Sequence, residues 1–177
     1  VIDISLGGGA RDFAPDGMEL ATGTGRRPDE RNLLERIGEI GVQYAWDAKT
    51  LAAADREEPV IGLFANSDMA YEHDRPDSQP SLPELTVAAL EHLRTNDEGF
   101  YLMVEGARVD PANHDGNAHR AFSEGVAFAE AIEAALAMVD LDETLVIVTA
   151  DHDHVITFSG HCGRGTLVTG LCMGISS

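Results

Sequence analysis

Three stretches of the chain are apolar at nearly every position: Val60-Ile-Gly-Leu-Phe64, Phe100-Tyr-Leu-Met-Val104 and Thr144-Leu-Val-Ile-Val-Thr149. A continuous apolar run of this length is the pattern of a strand covered on both faces. Val1 to Leu6 and Val42 to Ala45 read as further strands. Between them the period changes. Leu33, Leu34, Ile37 and Ile40 share one face of a helix over Arg31 to Ile40, with Asp29 placed to cap it and Gly41 to stop it. Ser81 and Glu84 form a capping box for a helix running to about Thr95, with Leu82, Leu85, Ala89 and Leu93 at helical spacing. A longer helix is predicted from about Ala118 to Val139, with Phe122, Val126, Ala129, Ile132, Leu136 and Val139 on one side.

Strand, helix and strand in this order predict right-handed crossovers. The fold class is therefore α/β, a three-layer α/β/α arrangement with a mainly parallel central sheet and helices on both faces. Residues 1–177 suit about one domain. Gly7-Gly-Gly9 reads as a turn opening a long surface excursion to Pro28. The alternative, a phosphate-cradling loop, lacks both the dinucleotide spacing and the Gly-Lys-Ser/Thr ending of a P-loop. Met69 and Tyr71 read as packing residues.

Composition narrows the function classes. Asp and Glu number 31 against 12 Lys and Arg, a formal charge of −19, which repels phosphate backbones and argues against nucleic-acid binding. No run approaches the roughly 18 to 20 apolar residues of a membrane span. The chain has neither an initial Met nor a basic-then-apolar leader, and its strand-like opening at Val1 suits a start inside a longer protein. Cys162 and Cys172 allow either one bridge closing a short loop or two free thiols.

The chemistry gathers where two of the apolar runs end. Phe100 to Val104 leads into Glu105, Asp110 and His114, and Thr144 to Thr149 leads through Ala150 into Asp151, His152 and His154. In open parallel sheets, ligands collect beyond the carboxyl ends of strands, so parallel neighbours would bring both clusters to one edge. Carboxylate mixed with imidazole suits zinc, and carboxylates that keep waters suit magnesium. Each residue alone has a plainer reading. Asp110 before Pro111 is a good helix N-cap, Glu105 a solvated loop carboxylate, Asp151 a turn cap. The convergence of two clusters favours a metal centre.

Met103-Val-Glu-Gly with Arg108-Val-Asp-Pro-Ala-Asn-His114, and Val148-Thr-Ala-Asp-His-Asp-His154, resemble the two metal-binding signatures of alkaline phosphatases. Leu6-Gly-Gly-Gly9, Gly62-Leu-Phe64, Met69-Ala-Tyr71 and Pro80-Ser-Leu82 extend the likeness to about residue 160. The resemblance implies a phosphomonoester hydrolase with two Zn2+ and one Mg2+, working through a phosphoserine. It assigns Asp110 and His114 to the first zinc, Asp151 and His152 to the second, Glu105 to magnesium, and to His154 the orientation of a zinc ligand. It further implies small phosphate monoesters and inorganic phosphate as ligands, a homodimer, and a secreted or periplasmic location.

Departures from the family pattern matter equally. The Asp-Ser-Ala nucleophile motif is absent, since Asp77-Ser78 is followed by Gln79-Pro80, so no catalytic serine is assigned and the chain alone is expected to be inert. The resemblance places that serine, an Asp shared by zinc and magnesium and a phosphate-clamping Arg upstream, and a last zinc-binding His downstream. Pro111 stands where many members carry His or Lys. Ala65 and Gln79 replace residues that are acidic in the vertebrate type and hold its additional calcium. His161 and Cys162 are read as loop residues rather than substitute ligands. The alternatives are a superfamily phosphodiesterase, sulfatase or phosphopentomutase, or a non-catalytic metal-binding scaffold.

Overall fold

The computed structural model describes residues 2–154. Its centre is a three-stranded parallel sheet of β1 (Ile4–Gly7), β4 (Gln43–Ala45) and β5 (Val60–Leu63), in the order β1-β5-β4. Ile4 and Gln43 both align with Val60. Because β5 is paired along both edges, its residues need apolar cover above and below, and Val60, Gly62 and Leu63 are buried. Phe64, just past its end, packs with Ala45 and Leu85, and Leu6, Leu51 and Met69 lean on that cluster. Gly62 makes this possible: a Cβ there would lie 2.3 Å from the Phe64 ring and 2.8 Å from a Leu6 methyl.

The turn after β1 is moored to the loop after β5. Gly9, in the left-handed region at φ 87°, donates its amide to the Ser67 carbonyl at 2.7 Å, and the amides of Ala10 and Arg11 reach the carbonyls of Ala65 and Asn66. These donors are spent inside the protein, so the glycine run is a turn and not an anion cradle. The excursion beyond it carries a short antiparallel pair, β2 (Glu19–Leu20) with β3 (Gly23–Thr24).

Helix α1 spans Leu33–Glu39 and packs beside β4. Its cap is Asn32, whose side chain accepts from the Glu35 amide at 3.2 Å, and not Asp29. Asp29 sits between Arg27 and Arg31, whose guanidinium hydrogen bonds hold its carboxyl well below the usual range. A carboxylate offered two guanidiniums makes stronger bonds with them than with one backbone amide. A second short helix, α2 (Ala48–Ala52), is closed by an Asp47–Thr50 capping box that periodicity over so few residues does not reveal.

Helix α3 (Leu82–Leu93) has the expected box: Ser81 Oγ accepts from the Glu84 amide, and the Glu84 carboxylate accepts from the Ser81 amide at 2.7 Å. It buries Leu85, Ala89, Leu90 and Leu93 and packs against α5 (Ala118–Met138) and β1. The face of α5 that meets this environment is not the expected one. Glu124, Ala127 and Ala131 are buried, whereas Phe122, Val126 and Leu136 are 48%, 57% and 40% exposed. Alanines on the buried line allow close helix approach, which outweighs the larger side chains' preference for burial.

Neither Phe100 to Val104 nor Thr144 to Thr149 is a strand. Tyr101, Met103, Leu145 and Ile147 are all more than 70% exposed. A strand exists through ladder bonds to a neighbour, and neither stretch has that partner among the described residues. Residues Phe100 to Glu105 run along one side of a cleft of about 1100 Å³ whose other walls include β1 and α3.

The Ser81 box predicts a measurable cost. Ser81→Ala lowers unfolding stability by about 1 kcal/mol in a denaturant titration. Glu84→Gln tests the reciprocal half. The Ser81 amide and hydroxyl hold the Glu84 carboxyl below its ordinary value of 4.5, so its contribution is full above that pH and fades as pH falls through the lowered pKa. The stability gap between wild type and Glu84→Gln therefore narrows on acidification.

Candidate metal centre

Helix α4 (Val109–His114) carries the first cluster. Its N-cap is Arg108, without a side-chain capping bond, and Asp110 is the second helical residue. The capping role read for Asp110 is thus overturned: one residue inside the helix, its carboxylate turns along the surface instead of back onto the first amides. There it meets His114, four residues on, with Asp110 Oδ2 at 3.4 Å from His114 Nε2. The i, i+4 spacing puts both on one face. Gly106 lets the approach to α4 pass close to α5, since a Cβ there would lie 3.0 Å from Phe128 Cγ.

The second cluster reaches the first without the expected strands. The His154 ring stands edge-on to His114, centroids 4.6 Å apart and planes at 88°. Ligand atoms of Asp110, His114 and His154 all lie within 4.8 Å of one another. His154 Nδ1 is buried with no hydrogen-bond partner among the described residues. Beside this group, Asp151 and His152 form their own exposed contact, Oδ2 to Nε2 at 3.3 Å. The Asp153 carbonyl, 3.0 Å from His152 Nδ1, raises the His152 pKa, with further support from the carboxylates of Asp151 and Asp110. Glu105 is exposed and lines the large cleft, five residues ahead of Asp110.

One carboxylate and two imidazoles converging on a small volume fit a zinc-type cation, which takes such ligands at about 2.0–2.2 Å. Among the described residues no hydrogen bond satisfies the His154 Nδ1, which gives the group a polar atom to offer. His154 is drawn closer to this group than its expected orienting role alone required. Arg108 is a residue that motif reading passed over. Its guanidinium lies 3.3 Å from the Asp68 carboxylate, tying α4 to the loop after β5. Only the alternation of charge sign between Asp68 and Arg108 could have hinted at it. His161, Cys162 and Cys172 lie outside the described residues.

The profile of the alkaline phosphatase family matches residues 1–176, and the chain belongs to that family. It is 38% identical over 184 aligned positions to the membrane-bound alkaline phosphatase of Bombyx mori, covering 98% of this chain and 34% of that protein. It is 36% identical to the human tissue-nonspecific alkaline phosphatase, covering 96% of this chain and 35% of the relative. The chain thus spans about a third of the length of these relatives. Among solved structures, the Thermus thermophilus alkaline phosphatase superposes with a TM-score of 0.67 at 32% identity, over 76% of this chain and 27% of that one. The fold is the α/β arrangement of that family, with a parallel sheet and flanking helices.

His152 supplies a test of the electrostatics. In the metal-free protein it should titrate above its ordinary 6.5, and Asp151→Asn should move the midpoint downward because a charge that favours the imidazolium is gone. Histidine NMR signals followed from pH 5 to 9 report this, and an unchanged midpoint would remove Asp151 as a cause.

Proposed function

We propose that this chain carries much of the metal-ligand half of an alkaline phosphatase active site and that the whole enzyme hydrolyses phosphate monoesters. The observation that carries this reading is the convergence of Asp110, His114 and His154 within 4.8 Å, in a chain matched to the family along nearly its whole length. Asp110 and His114 hold the first zinc, Asp151 and His152 contribute to the second, and Glu105 contributes to the magnesium. His154, whose ring stands edge-on to His114 at 4.6 Å between centroids, orients the Asp110–His114 pair. When bound, such cations supply positive charge for the attacking and leaving oxygens of an in-line phosphoryl displacement.

The chain's own residues set up that chemistry. The i, i+4 pair on α4 offers two ligand atoms from one element. At pH values where His152 is protonated it carries no free lone pair on Nε2, so ligation improves as pH rises through its elevated pKa. The serine nucleophile is supplied by sequence outside these 177 residues, consistent with the missing Asp-Ser-Ala motif. A homodimer outside the cytoplasm is the associated proposal for assembly and location. No helix among the described residues is long and apolar enough to cross a membrane.

Hydrolysis of an aryl phosphate tests the assignment. Partners that merely orient metal ligands are worth about 10–100-fold in affinity or activity, so Asp110→Asn or His114→Ala in the whole enzyme should lower kcat/KM by more than about 100-fold. The 177-residue chain alone should show no metal-dependent turnover. Robust hydrolysis by the isolated chain, or full activity of both variants, would refute the scheme.

A further inference from the structure

Six residues make a helix too short to hold its shape in water unaided, and α4 also lacks a side-chain cap at its start. Whatever fixes Asp110 and His114 in space must come from elsewhere in the fold. Tyr71, 8% exposed, stands in the loop between β5 and α3 and meets α4 at both ends. The Arg108 guanidinium, on the residue that precedes α4, lies 3.9 Å from the centre of its ring. Asp115, the residue that closes α4, accepts a hydrogen bond from the Tyr71 hydroxyl at 3.3 Å. Arg120, in the first turn of α5, lies over the same ring at 4.4 Å.

We propose that Tyr71 is a positioning residue that braces both ends of α4 and thereby sets the placement of Asp110 and His114 for metal binding; this rests on the reading of those two residues as ligands. An aromatic face attracts guanidinium charge, and Asp68 and Asp74 balance Arg108 and Arg120 at 3.3 Å and 2.7 Å. The brace is therefore close to neutral overall and able to sit half-buried. Burial pushes the Tyr71 phenol up, which favours the protonated hydroxyl that donates to Asp115. A residue that only filled space would need neither the hydroxyl contact nor contacts at opposite ends of one helix.

Two measurements test this on the protein with Tyr71→Phe, which keeps the ring, and Tyr71→Leu, which loses ring and hydroxyl. Val60→Ala, a destabilising change in β5, serves as the control. Hydrogen exchange of the metal-free protein should show the amides of Val109 to His114 exchanging about 10-fold faster in Tyr71→Leu than in Val60→Ala, with Tyr71→Phe between. Cobalt(II), titrated against a chelator, should bind about 10-fold more weakly to Tyr71→Leu and with altered visible absorption bands, while Val60→Ala keeps the wild-type spectrum. Equal exchange in α4 for Tyr71→Leu and the control would overturn the brace, with or without metal. Normal exchange changes combined with cobalt binding that ignores both Tyr71→Leu and Asp110→Asn would instead overturn the reading of α4 as a ligand helix.

Discussion

Pairing of β5 along both of its edges is the constraint on which the rest of this structure hangs. A strand enclosed in this way leaves through a single exit, and the loop beyond Leu63 becomes the anchor for chain segments that come from far away. The Gly9, Ala10 and Arg11 amides dock on its carbonyls. The Gln79 side chain, 6% exposed, donates to the Phe64 carbonyl and accepts from the Ala70 amide, so it closes the loop from its far end. Asp68 and Tyr71 then carry the loop's influence to α4.

The candidate ligand group forms among the described residues without the expected strands. Two clusters expected at the ends of neighbouring strands meet although neither of the preceding stretches is a strand. Helix α4 supplies the spacing of Asp110 and His114, and the return of the chain after α5 brings His154 against them. Electrostatics assists. Arg108 and Arg120 are each paired with a carboxylate, which leaves Asp110 to face imidazoles instead of guanidiniums. A carboxylate held by Arg, as Asp29 is, would be a poor ligand, because a cation would have to displace strong charge-assisted hydrogen bonds.

Sequence reading succeeded wherever the decisive interaction is local. The Ser81 capping box, the apolar run of β5 and the glycine turn all depend on residues within a few positions of one another. It failed where the choice is made by a distant partner. At α1 the miss was local instead: Asp29 and Asn32 are both good caps, and guanidiniums two residues to either side of Asp29 claim its carboxylate. On α5 the largest apolar residues defined the expected face, but the approach of α3 favours Ala127 and Ala131. Phe100 to Val104 has a strand's composition and lacks, among the described residues, the neighbour that would make it one.

By itself, then, the sequence determined the candidate ligand types, their spacing within each cluster, the family and the α/β class, because these reside in short signatures and in the alternation of hydrophobic periods. Tertiary structure alone decided that Asp110 faces His114 instead of capping α4, that His154 stands against His114, and that a buried tyrosine touches both ends of α4. The physical reason is separation along the chain: the Tyr71 hydroxyl and Asp115 are 44 positions apart, and no local pattern encodes a contact that exists only when two loops are packed together.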